Sequence, residues 1–176
     1  MILNTKIIRQ DAIDFDDGVK EASEIIKRGG LVVFPTETVY GLGADATNPL
    51  AAKSIYAAKG RPSDNPLIIH VANPSDAEKY AKTCNMYYKL AERFMPGPLT
   101  VVLPVLSTVP RETTGGLDTV AIRCPSHPIA RRLIELSGVP IAAPSANISG
   151  KPSPTKSEHV IEDLNGRVDA ILCGDD

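Results

Sequence analysis

Tryptophan is absent from this 176-residue sequence, and aromatic residues are few, with three Phe and five Tyr. Aliphatic side chains must therefore fill most of the core, and a nucleic-acid surface built on aromatic stacking is disfavoured. Cysteine is also scarce: Cys84, Cys124 and Cys173 lie far apart. An odd number of cysteines without C-x-x-C spacing argues against a disulfide framework and against a structural zinc site, so three reduced, mostly buried thiols are expected. Neither charge sign dominates: 19 Lys and Arg stand against 21 Asp and Glu, a net charge of -2. A globally basic nucleic-acid binder is excluded, although a local basic groove is not, because attraction depends on clustering. No apolar run reaches the ~20 residues that span a bilayer, and no signal pattern opens the chain. A cytoplasmic protein without a membrane partner is the expectation.

Several chemical signatures are missing too. There is no G-x-x-x-x-G-K-[ST] loop, so ATP would need another cradle. Gly41-Leu42-Gly43 lacks the third glycine of the dinucleotide fingerprint. The histidines His70, His127 and His159 are dispersed, with no H-E-x-x-H pair or His/Cys cluster to suggest a catalytic metal. His127, between Ser126 and Pro128 at a helix entry, suits a structural role. No Ser or Cys is marked as a nucleophile.

The apolar pattern alternates between helix and strand types. Phe15, Val19, Ala22, Ile25 and Ile26 recur at helical spacing before the stop Gly29-Gly30. Leu31 to Phe34 reads as a buried strand closed by Pro35. Helices fit Leu50 to Lys59, Ser75 to Lys82, Met86 to Phe94 and Pro128 to Ser137. Strands fit Leu67 to Ala72, Leu99 to Leu103, Val120 to Arg123, Ile141 to Ala143 and Val168 to Cys173. This alternation predicts a single α/β domain, a mixed sheet covered by helices. The connection Val105 to Thr119 is long enough to predict a functional or mobile loop.

Three polar clusters stand where strands or helices end. Pro35 to Gly43 offers two hydroxyls, a carboxylate and two glycines; it reads equally as a ligand-binding loop or as a strand-to-helix turn. Lys59-Gly60-Arg61-Pro62-Ser63-Asp64-Asn65-Pro66 places two cations around a glycine in a proline-stiffened loop. Arg binds phosphate oxygens bidentately and Lys acts as a point charge, but a basic helix end also suits the helix dipole. Ala143 to Thr155 is small, polar and proline-rich. It is either a rigid surface of hydroxyls and amides or a plain connection, with Ser157 as N-cap of a following helix. Arg123 ends its own strand, where it can clamp a carboxylate or simply face solvent.

Together these clusters resemble the YrdC/TsaC family of threonylcarbamoyl-AMP synthases, from about residue 12 to the chain end. The resemblance rests on Pro35 to Gly43, Lys59-Gly60-Arg61 with Asn65-Pro66-Leu67 and His70, Pro96 to Thr100, Val120 to Arg123 with Pro125 and His127-Pro128, and Ala143 to Thr155. It implies a twisted, open α/β sheet with a positively charged concave face. It also implies a nucleotidyltransferase that joins L-threonine, bicarbonate and ATP into threonylcarbamoyl-AMP and pyrophosphate, for threonylcarbamoyladenosine in tRNA. By that resemblance Thr38, His70, Arg123 and the backbone near Ala143 hold threonine. Lys59, Arg61, Asn65, Thr119, Ser145, Asn147 and Ser153 hold ATP with its Mg2+, with no dedicated protein metal site. The catalytic set is Lys59, Arg61, Ser145 and Asn147. Expected partners are the three substrates, tRNA or double-stranded RNA, and downstream threonylcarbamoyl-transferase proteins. Family domains usually continue past the segment matching Ala170 to Gly174 into a Ser-Thr-containing strand that helps close the threonine site. Residues 1–176 are therefore expected to form the domain without its last strand region. Two other readings are a non-catalytic double-stranded RNA- or tRNA-binding module, and the YrdC-like domain of carbamoyltransferases that mature hydrogenases.

Overall fold

The computed structural model describes residues 2–62 and 64–174; Ser63, one member of the second polar cluster, lies outside them. In chain order the elements are strand β1 (Lys6–Arg9), helix α1 (Phe15–Lys27), β2 (Val32–Phe34), β3 (Gly41–Asp45), α2 (Pro49–Lys59), β4 (Ile68–His70), a 3-10 helix (Pro74–Lys79), α3 (Asn85–Phe94), β5 (Thr100–Pro104), α4 (Arg111–Thr114), β6 (Thr119–Arg123), α5 (Pro128–Ser137), β7 (Ile141–Ala142), α6 (Ser157–Leu164) and β8 (Ala170–Cys173).

The helix ends follow from local chemistry. Asn48 caps α2, its side-chain oxygen accepting from the Leu50 and Ala51 amides at 3.0 and 3.2 Å. Pro49 fits the first helical position, where no amide partner is needed. Gly60 ends the helix at φ +65°, the left-handed region that glycine enters without a Cβ clash. His127 caps α5 through Nδ1, which accepts from the Ile129 amide at 3.1 Å. That is the structural role its position suggested.

The strands join one eight-stranded sheet in the order β1-β8-β2-β3-β7-β4-β6-β5. It is mixed, as expected: β1–β8, β8–β2 and β4–β6 are parallel, and the other neighbours antiparallel. Successive strand residues point to opposite faces. Val32, Phe34, Ala170 and Leu172 therefore pack with α1 and α5, through Val19, Ile25, Leu133 and Ile134. Val33, Ile171, Ile69 and Ile122 pack on the other face with α2 and α6, through Ile55, Val160 and Leu164.

The structure corrects four sequence expectations. Pro35 to Gly43 leads from strand to strand, because Gly41–Asp45 forms β3 against β2. The helix expected over Ser75 to Lys82 is the shorter 3-10 helix, after which Lys82 donates its amide to Pro104. The connection from Val105 to Thr119 is largely ordered: it contains α4, and Thr113 Oγ1 donates to Ala46 O at 2.7 Å. Ser157 is the first residue of α6 rather than its cap; Lys156 takes that position without a side-chain bond. Cys124 and Cys173 are buried and Cys84 is exposed, all as free thiols. Among the described residues no helix is long and apolar enough to cross a membrane.

Candidate active site

Parallel pairing of β4 with β6 sets His70 beside Arg123 at the carboxyl ends of both strands. Antiparallel pairing of β7 with β4 then carries the chain past Ala143, whose amide donates to Ile68 O at 2.9 Å, toward Ser145. A cleft of about 320 Å³ follows this path, with Arg123 and His70 toward one end and Arg61, Pro66 and Ser145 toward the other. From His70 back to Pro66 is four residues of extended chain, roughly 13 Å.

At the first end a network of hydrogen bonds fixes the charged groups in place. Arg123 is only 8% exposed. Its Nε donates to Gly97 O at 3.2 Å, Nη1 to Thr38 Oγ1 at 3.2 Å and Nη2 to Glu37 Oε1 at 2.6 Å. The other Glu37 oxygen accepts from the Ser126 amide at 2.8 Å and from its hydroxyl at 2.7 Å. Burial works to raise the Glu37 carboxyl. The Ser126 bonds, its own amide and the Arg123 charge outweigh that and hold it below the usual carboxylate range. A guanidinium has five N–H donors, so three occupied here leave two for a ligand.

His70 stands between the Arg123 charge and the edge of the Phe34 ring, 6.2 Å away at 86°. Its Nδ1 is 3.2 Å from Ile68 O and 3.2 Å from Ile141 O. Two carbonyl acceptors require the proton on Nδ1, which leaves Nε2 as a bare acceptor. Burial first, and Arg123 second, push this histidine down to about 4, so the ring is neutral at ordinary pH.

At the second end a rigid segment runs behind and along the cleft. The Ala146 amide donates to Tyr40 O at 2.8 Å, Leu42 to Pro144 O at 2.9 Å and Tyr40 to Pro154 O at 3.0 Å, so residues 144–154 are stitched to β3. Lys59 lies behind this segment rather than along the cleft, and is 2% exposed. Its ammonium donates to Ser145 O at 2.5 Å and reaches Asn147 Oδ1 at 3.5 Å. Ser145 Oγ donates to the same Asn147 oxygen at 2.5 Å, while Asn147 Nδ2 donates to Lys151 O at 2.9 Å. Burial, and then the neighbouring Arg61 charge, lower Lys59 to about 8. Arg61 lines the cleft; its Nη2 donates to Pro66 O at 3.1 Å, and its buried Nε has no partner among the described residues.

Of the other expected residues, Asn65 and Ser153 have exposed side chains on the flanking loops. The Asn65 carbonyl accepts from Tyr56 Oη at 2.8 Å. Thr119 opens β6; carrying the β4–β6 register back two residues sets it opposite Pro66, at the Arg61 end. Glu37, Ser126 and Tyr40 were not singled out from the sequence. The available signal was the lone carboxylate in the first cluster, a ready counter-ion for an arginine at a buried strand end.

A family model for Sua5/YciO/YrdC proteins, described as "Telomere recombination", matches residues 24–176. The chain belongs to the Sua5/YciO/YrdC family. Among curated relatives, a threonylcarbamoyl-AMP synthase of Pyrococcus abyssi is 59% identical over 157 residues, 89% of this chain and 46% of that protein. One of Bacillus subtilis is 53% identical over 161 residues, 90% of this chain and 46% of that protein. In fold, the chain is similar to P. abyssi Sua5 complexed with L-threonine, with a TM-score of 0.89 and 54% identity over 97% of this chain and 50% of that one. The chain thus spans about half the length of these Sua5/YciO/YrdC relatives.

Proposed function

We propose that the cleft condenses L-threonine, bicarbonate and ATP into threonylcarbamoyl-AMP and pyrophosphate. The observation that carries this reading is one cleft with two kinds of end. One presents a buried arginine with two open donors beside a neutral histidine acceptor; the other presents Arg61 and the Ser145–Asn147 segment. The names of the relatives, and the L-threonine bound by the P. abyssi protein, support it.

In this reading the threonine carboxylate takes the open N–H groups of Arg123 and the Thr38 hydroxyl. Its amine faces Nε2 of His70 and the backbone near Ala143. The free amine and bicarbonate give a carbamate and water. A carbamate oxygen then bonds to the α-phosphorus as the bond to the β-phosphate oxygen breaks, and pyrophosphate leaves. The substrate supplies the nucleophile, so the protein has to align anions and stabilise charge on the phosphate oxygens. Arg61 meets that charge, and the Ser145 and Asn147 side chains join it by exchanging their present bonds within the segment; Lys59 fixes that segment and adds its charge from behind. Asn65, Thr119 and Ser153 follow the rest of the nucleotide. ATP enters with Mg2+ on its phosphates, which reduces the repulsion between them. The product serves threonylcarbamoyladenosine formation in tRNA through a downstream threonylcarbamoyl-transferase.

The test uses labelled bicarbonate. Label is expected in an adenylate only when threonine and ATP are both present. Label entering an adenylate without threonine contradicts the reading.

A further inference from the structure

Glu37 touches no predicted ligand-binding group except Arg123, yet it is held by both oxygens. Its Oε1 bonds Arg123, and its Oε2 bonds the amide and hydroxyl of Ser126, three residues further along the same strand exit. The loop that carries it is braced internally: Thr36 Oγ1 donates to Val39 O at 2.6 Å and accepts from the Thr38 amide at 3.2 Å. Glu37 and Arg123 are therefore locked from both sides, across 86 residues of sequence. The charged side chains lining the cleft itself are Arg61 and Arg123, both cations. Glu37 is the anion seated against one of them, and its side chain is 21% exposed.

We propose that Glu37 is a specificity-determining positioning residue: it fixes Arg123 and cancels its charge, so that the cleft accepts an amino acid in preference to the same acid without its amine. The inference rests on the threonine reading above and deepens it. The electrostatics give its direction. An Arg123–Glu37 pair is neutral overall and sits against a zwitterion, also neutral, with the Arg donors on its carboxylate. Removing the negative charge leaves Arg123 as an uncompensated cation. That favours any net anion and does nothing for a zwitterion. Loss of the tether also loosens the guanidinium, which weakens every carboxylate ligand alike. The ratio of two affinities separates these effects, because loosening cancels in the ratio and charge does not.

The experiment is calorimetric titration of this chain and of its Glu37→Gln variant with L-threonine and with 3-hydroxybutyrate, which is threonine without the amine. The chain is expected to prefer threonine, and the preference is expected to fall at least ~10-fold in Glu37→Gln, a change of about 1.4 kcal/mol. Glu37→Asp keeps the charge. It is expected to retain the original preference even if both ligands bind more weakly, and it serves as the second variant if Glu37→Gln does not fold. An unchanged ratio in Glu37→Gln, or a ratio lost equally in Glu37→Asp, overturns the role of Glu37 and leaves the threonine reading standing. A chain that binds neither ligand overturns the threonine reading, and this inference with it.

Discussion

Replacing Lys59 with methionine should change how stability depends on pH, and the buried ammonium sets the size of the effect. Lys59 is 2% exposed, and its pKa falls from 10.5 to about 8, through burial first and the Arg61 charge second. Below pH 8 the folded and unfolded chains both carry the proton, and the cost of burying the charge is fully present. Between about 8 and 10.5 the unfolded chain holds more protons than the folded one, so stability rises with pH. At 1.36 kcal/mol per pH unit, a fall from 10.5 to about 8 gives a gain on the order of 1 kcal/mol by pH 9 and 2–3 kcal/mol by pH 10. Methionine fills most of the same space without titrating, so the wild type minus Lys59→Met difference isolates this proton. The assay is urea unfolding of both proteins at steps from pH 7 to pH 10. A difference that stays flat over that range refutes the account of Lys59 as a buried, charge-strained ammonium.

Three further outcomes are expected. Arg61→Ala should cut turnover by roughly 10²–10³, the usual loss for one preorganised donor to developing charge; steady-state rates at saturating substrates check it, and full activity removes Arg61 from the mechanism. Arg123→Ala should raise the KM for threonine while leaving the KM for ATP nearly unchanged; an unaltered apparent affinity for threonine contradicts its assignment. Gly43→Ala should lower stability by about 1–3 kcal/mol through overpacking, because an added Cβ would lie 2.7 Å from Phe34 Cε1 and 2.8 Å from Ile141 Cγ2. Thermal unfolding measures it, and an unchanged midpoint means that Phe34 and Ile141 give way freely.

The helices were largely legible because their signals are local. α1, α2 and α5 show periodic apolar residues, and glycines follow their ends. β1 was missed because a four-residue edge strand with only Ile8 buried carries little pattern. β3 was missed for a different reason. Apart from Leu42, its first four residues are small, Gly41, Gly43 and Ala44, and Phe34 lies against both glycines, so a close-packed central strand looks like a turn when read alone. The sheet order was not legible, since pairing of β8 with both β1 and β2 depends on contacts across most of the chain.

The candidate site divides in the same way. Tyr40 and Gly41, Arg61, and Ala143 and Ser145 come from three separate clusters, His70 and Arg123 from two strand ends, and the structure brings them to one cleft. What the sequence did not disclose is the supporting layer. Glu37 looked like one polar loop residue among several until the fold set it on Arg123. Lys59 looked like an exposed basic helix end. The proline-bounded segment that follows β7 covers it, and turns a surface cation into the buried brace of Ser145 and Asn147.

The most direct test of the central proposal is pyrophosphate release from ATP by this chain. Release is expected only when L-threonine and bicarbonate are both supplied, and it should fall with Arg61→Ala. Release with neither substrate present contradicts the proposed chemistry.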